Sequence, residues 1–336
     1  MLQTDKSIAT ATLPTFDNVM AAAKRLDGLA IKTPLIESPA LNERVGGTVL
    51  LKAETLQRTG SFKFRGAFNR ISQIPKDDRP GGVVAYSSGN HAQGVAAAAA
   101  MLDLPAVIVM PSDAPAMKVE NTRGYGAEVV FYDRFTEARE EIGQAIAAER
   151  KATLVRPYDD PEIIAGQGTC GLEIAEQAKA RGFNLDALLV CCGGGGLTAG
   201  CALALEALSP QTSLYSVEPA GYDDTKLSLE AGHPVPHAKA RPSICDALLT
   251  PQPGILTFAL NRTHLRGGLT VTDAEVKAAM RFAFRTLKLV VEPGGAVCLA
   301  AILAGKIDAA GRVIAITLSG GNVDAELFRS VLAEDD

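Results

Sequence analysis

The sequence lacks the features that mark nucleic-acid-binding, secreted and membrane proteins. Its 33 lysines and arginines are outnumbered by 38 aspartates and glutamates, and no basic tract is present that could follow a phosphate backbone. The N-terminus has no apolar signal segment, and the most apolar stretch, residues 95–110, is interrupted by Asp103 and Pro105. We therefore expect a cytoplasmic protein that contacts neither nucleic acid nor a membrane.

Cysteine and histidine motifs for metal or redox chemistry are also missing. The six cysteines show no C-x-x-C spacing, and most lie in apolar or small-residue runs, where a free cysteine behaves as a small hydrophobic residue. Cys191 and Cys192 end such a run, so packing is favoured over redox chemistry there. His233 and His237 have helical spacing, but the nearby prolines exclude the helix that a zinc pair would need.

The chain has the composition and length of a globular protein. Hydrophobic residues make up 47% and charged residues 21%, and neither a fixed-period repeat nor a low-complexity linker is present. At 336 residues the chain is about twice the usual length of a domain. This length predicts two domains or one large α/β unit.

Short apolar runs alternate with helical patterns along the chain. Strands are predicted at 48–55, 83–86, 106–110, 127–132 and 152–155, and again at 187–192, 213–217 and 312–318. Helices are predicted between the earlier runs, at 91–102, 114–124 and 135–150. Strands separated by helices imply right-handed crossovers and parallel sheets covered on both faces. The predicted fold class is α/β with two doubly wound parallel sheets, and the run at 48–55 is a candidate strand of the later sheet.

Four glycines follow the predicted strand at 187–192. Gly193, Gly194, Gly195 and Gly196 precede a helical pattern, so their backbone N–H groups are expected to converge at a helix N-terminus. Such a loop is a phosphate cradle, whereas a merely flexible turn would not need four glycines. No G-K-[ST] follows, which excludes a P-loop.

The same loop also allows a nicotinamide dinucleotide. Gly194, Gly196 and Ala199 match the dinucleotide fingerprint with alanine in the last position. Glu218 ends the next predicted strand at the spacing of a ribose-binding acid. An oxidoreductase with a nicotinamide cofactor therefore remains a remote alternative.

Lys63 is a candidate nucleophile. It begins a predicted helix after a Gly-Ser loop, where the positive helix end and Arg65 are expected to lower the pKa of its ammonium group. A lysine with a lowered pKa is nucleophilic, although position alone would also suit a solvated lysine at a helix start.

Five motifs in order identify a family resemblance. They are Ser61-Phe62-Lys63-Phe64-Arg65-Gly66-Ala67, Ser87-Ser88-Gly89-Asn90-His91-Ala92-Gln93-Gly94, Ala165-Gly166-Gln167-Gly168-Thr169, Gly193 to Gly196, and Ser319-Gly320-Gly321-Asn322. Together they resemble the fold-type II pyridoxal-phosphate enzymes, and most closely the threonine/serine dehydratase and serine racemase group. The resemblance implies a tryptophan synthase β-like fold with a large cofactor-binding domain, residues 1–75 plus 160–336, and a small α/β domain, residues 76–159.

The resemblance assigns cofactor-binding residues. Lys63 matches the lysine that binds pyridoxal 5′-phosphate covalently, and Gly193, Gly194, Gly195 and Gly196 match the phosphate cradle. Phe62 matches the aromatic residue that stacks on the ring, Asn90 the residue that hydrogen-bonds its 3′ oxygen, and Ser319 the residue that faces the pyridine nitrogen.

The resemblance also assigns substrate-binding residues and leaves the reaction open between two classes. Ser87, Ser88 and His91 match the loop that binds the substrate α-carboxylate. Ser88 matches the hydroxyl opposite the lysine, which in some members moves a proton on the second face. A racemase of the serine or aspartate type is therefore the alternative, and a module that binds an amino acid without turnover is a third hypothesis.

A divalent cation is expected near the cofactor site. Glu218 and Asp224 leave a strand end in a loop broken by proline and glycine, where all-oxygen ligands suit Mg²⁺, Mn²⁺ or Ca²⁺. A solvated acidic loop is the simpler interpretation of the residues alone. In the racemase and dehydratase group, the matching glutamate and aspartate bind such an ion together with the carbonyl at the position of Tyr222.

The function expected from the resemblance is that of a dehydratase, or ammonia-lyase. It converts a small β-hydroxy amino acid, namely threonine, serine or 3-hydroxyaspartate, to a 2-oxo acid and ammonia, with Lys63 as the base that takes the α-proton. Arg156 and Arg241 are candidates to pair with a second substrate carboxylate, although surface positions are the simpler interpretation of both. A homodimer is expected from the resemblance alone.

Overall fold

The chain folds around two sheets with helices between and outside them. The structure is a computed structural model that describes residues 12–87, 89–236 and 242–334. The helices are α1 (Phe16–Leu26), α2 (Pro39–Val45), α3 (Lys63–Ser72), α4 (Asn90–Met101), α5 (Ala116–Gly124), α6 (Arg139–Arg150), α7 (Pro161–Ala180), α8 (Gly196–Leu208), α9 (Asp224–Ala231), α10 (Ile255–His264), α11 (Asp273–Phe282), α12 (Pro293–Leu303) and α13 (Ala325–Ala333). Within the described ranges, no helix is both long enough and apolar enough to cross a membrane.

The larger sheet has six strands and the smaller sheet four. The larger contains β1 (Leu35–Glu37), β2 (Thr48–Ala53), β7 (Ala187–Cys191), β8 (Ser213–Pro219), β9 (Leu265–Val271) and β10 (Val313–Leu318), in the order β1-β2-β10-β7-β8-β9. The smaller contains β3 (Val83–Tyr86), β4 (Ala106–Pro111), β5 (Glu128–Tyr132) and β6 (Thr153–Leu154), in the order β5-β4-β3-β6. Every pairing is parallel except that of β1 with β2.

The predicted α/β class and parallel sheets are confirmed. All the residues of β3, β4 and β7 are buried, as expected for parallel strands with helices on both faces. Strand β2 precedes the small sheet in the chain but pairs with β10 in the large one, as the sequence suggested. The two separate sheets are compatible with a small domain at 76–159, but the boundaries of the two domains stay a prediction.

Close helix packing explains the small residues of the Ala165-Gly166-Gln167-Gly168 motif. Helix α7 crosses α8 where Gly168 meets Gly200. A Cβ atom on Gly200 would lie 2.5 Å from the backbone nitrogen of Gly168, and one on Gly66 of α3 would lie 2.7 Å from the Gln167 side chain. These glycines therefore bring α3, α7 and α8 together behind the cavity that holds the motifs.

Candidate active site

Four of the five sequence motifs meet in one cavity between the C-terminal ends of the two sets of strands, and the motif at 165–169 packs behind it. The cavity opens to solvent and has a volume of about 930 Å³. Its lining includes Phe62, Lys63, Ser87, Asn90, His91, Gly193, Gly194, Gly195, Gly196 and Ser319. Ser88 lies outside the described residues, as do His237 and Arg241. Ligands of open parallel sheets bind at this end of the strands.

Lys63 is the first residue of α3 and points into the cavity. Its Nζ donates a hydrogen bond to the carbonyl of Pro157 at 2.7 Å and lies 5.2 Å from the centre of the Phe62 ring. Burial lowers the pKa of Lys63 to about 8. The expected direction of the shift is thus found, but Arg65 is not its cause, because that guanidinium forms ion pairs with Glu54 and Glu173.

The glycine loop fits a phosphate group. Gly195 has a φ of 90°, which only glycine adopts readily, and a Cβ on Gly194 would lie 2.4 Å from the Tyr158 ring. The carbonyl oxygens of Gly194 and Gly195 accept hydrogen bonds from Thr257 Oγ1 and Asn261 Nδ2 on α10, at 2.6 Å and 3.3 Å. The first N–H groups of α8 have no acceptor within the helix, so they are able to bind an anion. A lysine amine beside this cradle suits pyridoxal phosphate.

Asn90 connects the cavity to a buried carboxyl group. Its Nδ2 donates to Glu292 Oε1 at 2.5 Å, and its Oδ1 accepts from Asn322 Nδ2 at 2.8 Å. Burial raises the pKa of Glu292 to about 7, although the ammonium of Lys118 opposes this. Sequence reasoning missed Glu292, because a glutamate before Pro293 looks like an ordinary start of a helix.

The loop between β3 and α4 carries neutral polar groups. Ser87 Oγ accepts a hydrogen bond from the backbone N–H of Gly89 at 3.2 Å. His91 is buried, and its Nε2 lies 3.0 Å from the carbonyl of Val155. Burial, assisted by the charge of Lys63, lowers the pKa of His91 to about 3, so the imidazole is neutral. A carbonyl only accepts, so Nε2 carries the proton.

Ser319 lies at the end of β10, on the side of the cavity formed by the large sheet. It is 4% exposed, and its backbone carbonyl accepts a hydrogen bond from the N–H of Phe62 at 3.1 Å. The bond connects the loop before Lys63 to the large sheet, so Phe62, Lys63 and Ser319 are held together.

A basic wall of the cavity was not predicted from the sequence. Arg139 lies at the start of α6, with its guanidinium 5.5 Å from the centre of the Tyr86 ring. Its Nε donates to Glu140 Oε1 at 2.8 Å. Lys118 Nζ donates to Asp246 Oδ2 at 2.5 Å, across the cavity from α5 to the segment before α10. Nothing in the local sequence distinguishes these basic residues from those of an exposed helix.

The turn between β8 and α9 brings two buried carboxyl groups together, one at the end of the strand and one at the start of the helix. Glu218 and Asp224 are both 0% exposed. Glu218 accepts hydrogen bonds from the N–H groups of Thr225 and Lys226, at 2.8 Å and 2.9 Å. Both carboxylate oxygens of Asp224 are buried without a hydrogen-bond partner among the described residues. Burial raises the pKa of Asp224 to about 7, and burial and Asp224 together raise that of Glu218.

This geometry separates the two interpretations of Glu218. A ribose-binding acid must face the ligand crevice, but the Glu218 carboxylate is enclosed and bonded to the start of α9. A cation between Glu218 and Asp224 would use the free lone pairs of both groups. In the part of the chain that the structure describes, no three histidine, cysteine, aspartate or glutamate side chains form a metal cluster, so the further ligands of such a cation would be neutral oxygens, such as backbone carbonyls or water.

Comparisons with known proteins agree on one family. The family model described as pyridoxal-phosphate dependent enzyme matches residues 26–320. An L-threo-3-hydroxyaspartate ammonia-lyase from Pseudomonas sp is 48% identical over 95% of this chain and 99% of its own. A serine racemase from Schizosaccharomyces pombe is 40% identical over 96% of this chain and 98% of its own. The structure of maize serine racemase superposes with a TM-score of 0.89 at 35% identity, covering 95% of this chain and 97% of that one.

Proposed function

Because the chain belongs to the family of pyridoxal-phosphate dependent enzymes, with ammonia-lyases among its close relatives, we propose that its substrate is 3-hydroxyaspartate. The enzyme is a pyridoxal-phosphate-dependent ammonia-lyase, which releases ammonia and leaves a 2-oxo acid. The dicarboxylic substrate is proposed because the cavity contains a guanidinium group that threonine or serine would leave unused.

Arg139 carries this choice of substrate. Only its Nε donates a hydrogen bond within the described residues, to Glu140, so the two terminal nitrogens are available to a ligand. A guanidinium offers paired N–H groups that match a carboxylate. The methyl group of threonine or the hydrogen of serine would leave those two terminal nitrogens without a hydrogen-bond acceptor on the substrate. Two further relatives support the choice, an L-threo-3-hydroxyaspartate ammonia-lyase from Saccharomyces cerevisiae and a beta-hydroxyaspartate dehydratase from Paracoccus denitrificans.

The chain's own groups supply binding and proton transfer. When bound, pyridoxal phosphate supplies the electron sink that acidifies the substrate α-carbon. Lys63, with a pKa of about 8, is neutral in an appreciable fraction near neutral pH and accepts the α-proton at Nζ. The Ser87 hydroxyl and the N-terminus of α4 receive the α-carboxylate, and the neutral His91, whose one N–H faces the Val155 carbonyl, adds no charge beside it.

A substrate panel tests the proposal. We expect kcat/KM for L-threo-3-hydroxyaspartate to exceed the values for threonine and serine by at least about tenfold. Arg139→Met should lower kcat/KM for hydroxyaspartate by roughly 10- to 100-fold, because one charged hydrogen-bond pair with the substrate is lost. Its kcat/KM for threonine should stay within about twofold of the wild-type value, because threonine has no second carboxylate. Arg134→Met is the matched control, since Arg134 is exposed and pairs with Asp113. Equal losses for all substrates in Arg139→Met would contradict this role.

Racemisation is the second candidate function. It is favoured by the similarity to serine racemases and by Ser88, which matches the hydroxyl opposite the lysine. Ser88→Ala is expected to remove racemisation and any action on D-isomers while largely sparing elimination from the L-isomer. Chiral chromatography of residual substrate measures both activities, and an equal loss of the two would mean that Ser88 serves binding.

We also propose that Glu218, Asp224 and the carbonyl of Tyr222 hold Mg²⁺, Mn²⁺ or Ca²⁺. The support is the pair of buried Asp224 oxygens without a partner beside a second buried carboxyl group. Burying such oxygens is unfavourable unless a cation or a proton compensates. The site lies between the end of β8 and the start of α9, and β8 pairs with β7, which leads into the glycine loop, so the ion would order that end of the sheet.

Assembly and location are proposed from the family resemblance. The protein is proposed to act as a homodimer in the cytoplasm, with residues 1–75 and 160–336 as the cofactor-binding domain. All six cysteines are free and buried, which fits a reducing compartment. Sedimentation analysis of the purified protein tests the dimer, and a monomer that retains full activity would contradict it.

A further inference from the structure

Two buried thiols lie against each other at the floor of the cavity. Cys191 is the last residue of β7 and lines the cavity, and Cys298 lies in the middle of α12. Their sulfur atoms are 3.5 Å apart. The hydroxyl of Thr317 contacts both, at 3.4 Å from Cys191 Sγ and 3.7 Å from Cys298 Sγ. The pair is therefore in van der Waals contact, and one member borders the cavity.

The two thiols differ in their readiness to ionise. Burial by itself raises the pKa of Cys191, but hydrogen bonds with Cys298, Ser319 and Thr317 outweigh burial and lower the pKa to about 6. The pKa of Cys298 is raised well above its ordinary value, chiefly by burial. Near neutral pH, Cys191 thus provides the reactive thiolate and Cys298 a protonated thiol beside it.

We propose that Cys191 is a modification site for hydroperoxides and that Cys298 converts its oxidised form to an intramolecular disulfide. Cys191 is buried in the core, as the sequence suggested, and the proposal adds redox chemistry to that packing role. Cys192 keeps the packing role, because its thiol is buried against Thr225 and burial raises its pKa.

The chemistry balances with a hydroperoxide as the oxidant. The Cys191 thiolate attacks one peroxide oxygen, so that an S–O bond forms, the O–O bond breaks, and the leaving hydroxide or alkoxide takes a proton from solvent. Cys298 sulfur then attacks the sulfenic sulfur, which forms the S–S bond and releases the hydroxyl as water with the proton of Cys298. The thiols lose two electrons and the peroxide gains them. The sulfur atoms must approach to about 2.05 Å.

A molecule bound in the cavity should shield Cys191. This consequence rests on the proposed role of Lys63 in holding pyridoxal phosphate, whereas the thiol reactivity does not. The Ser319 hydroxyl, which interacts with Cys191, lies in the same lining, so the cofactor ring and the thiol would compete for that surface. The cofactor-free enzyme is therefore expected to be the oxidant-sensitive form.

Peroxide treatment with mass spectrometry tests the proposal. The holoenzyme, and the same protein after cofactor removal with hydroxylamine, are treated with hydrogen peroxide and digested with trypsin under non-reducing conditions. We expect a crosslink between the peptides containing residues 182–226 and 289–306, lost on treatment with dithiothreitol. The crosslink should form roughly tenfold more slowly in the holoenzyme, because access controls thiol reactivity.

Cysteine variants identify the atoms. Residues 182–226 also contain Cys192 and Cys201, so Cys192→Ser and Cys201→Ser are the matched controls, and both should keep the crosslink. Cys191→Ser, Cys298→Ala and Cys298→Ser should each abolish it, and in the Cys298 variants dimedone should label Cys191. A crosslink that persists in Cys191→Ser, or the absence of any crosslink in the cofactor-free wild type, would overturn the proposal. If a variant does not fold, the two wild-type measurements, namely formation of the crosslink and its slower formation in the holoenzyme, still test the proposal.

Discussion

Two groups of buried charges lie on either side of the start of α3, and they differ in how completely their members are paired. Behind the cavity, the Arg65 guanidinium is 1% exposed and forms ion pairs with Glu54 at 2.8 Å and Glu173 at 2.6 Å. In the cavity, two residues earlier on the same helix, the Lys63 ammonium donates to a backbone carbonyl and no carboxylate lies within ion-pair distance among the described residues.

The carboxyl groups of the two regions show the same contrast. Burial opposes ionisation of Glu54, yet the charge and hydrogen bonds of Arg65 outweigh it and lower the pKa. Glu292 is equally buried, but Lys118 lies 3.8 Å away and the pKa rises to about 7. Full pairing makes the first cluster a structural support, whereas incomplete pairing leaves the second group with protons that are easily moved.

The largest effect is expected from removing the unpaired lysine. Lys63→Ala should lower turnover by at least about 10³-fold, because the residue is proposed both to hold the cofactor and to accept the α-proton. When both proteins are compared without cofactor, the free energy of unfolding should change by less than about 1 kcal/mol, since no ion pair is lost. Steady-state kinetics and denaturant unfolding measure the two quantities, with the exposed Lys76→Ala as control. Borohydride reduction of the wild type should place the cofactor adduct on Lys63; an adduct on another lysine would remove the assignment.

Removing the paired arginine, Arg65, should mainly lower stability, whereas removing Lys63 should mainly lower turnover. Arg65→Met leaves the buried Glu54 without its ion-pair partner and leaves Glu173 paired only with Lys52, so it should lower the free energy of unfolding by about 3–5 kcal/mol. The midpoint of urea unfolding, compared with that of Arg70→Met, measures this loss. Arg70 pairs with Asp160 at a more exposed place and should cost at most about 1 kcal/mol. Similar losses in both variants would mean that the cluster is not the support described above.

Stability should respond to pH in opposite directions at Glu292 and Glu54. The folded-state pKa of Glu292 is raised, so the folded protein binds the extra proton, and stability falls as pH rises from about 4.5 through about 7. Glu292→Gln should remove this fall and be more stable than wild type above pH 7 by about 1–3 kcal/mol.

Because the pKa of Glu54 is lowered, its contribution to stability changes with pH in the opposite direction to that of Glu292. Its ionised form stabilises the folded protein above the unfolded pKa, and this contribution is lost as pH falls through the lower folded pKa. Glu54→Gln should therefore be less stable than wild type at pH 7, with the difference shrinking in acid. Urea unfolding across pH checks both variants, and parallel pH profiles would refute the contrast.

The smallest effect is expected at the proposed cation site, where the bound cation would balance the buried carboxylates of Glu218 and Asp224. Chelation with EDTA should lower the melting temperature by about 2–5 °C, and Mg²⁺ or Mn²⁺ should restore it. Activity is expected to follow. The double variant Glu218→Gln with Asp224→Asn should show no response to chelator, as followed by thermal denaturation. An unchanged response in the double variant would place the ion elsewhere.

Local sequence was informative where chemistry required a particular backbone. Four consecutive glycines predicted a tight loop, and the φ of Gly195 and the approach of Tyr158 to Gly194 explain why glycine is needed there. That this loop holds a phosphate group stays a prediction. Apolar runs likewise predicted the parallel strands, and the position of Lys63 at a helix start was correct. The cause of its lowered pKa was misassigned, since the direction in which Arg65 points depends on Glu54 and Glu173, which lie elsewhere in the chain.

The sequence by itself determined the α/β class, the alternation of strands and helices, the glycine loop and, through five ordered motifs, the family. Only the tertiary structure decided which charges are paired, that Arg139 and Lys118 face the cavity, and that Cys191 contacts Cys298. The physical reason is the separation along the chain between the residues that interact. Backbone conformation and hydrophobic periodicity are read from neighbouring residues, whereas pKa values and thiol reactivity depend on groups that crossovers between parallel strands bring together from distant parts of the chain.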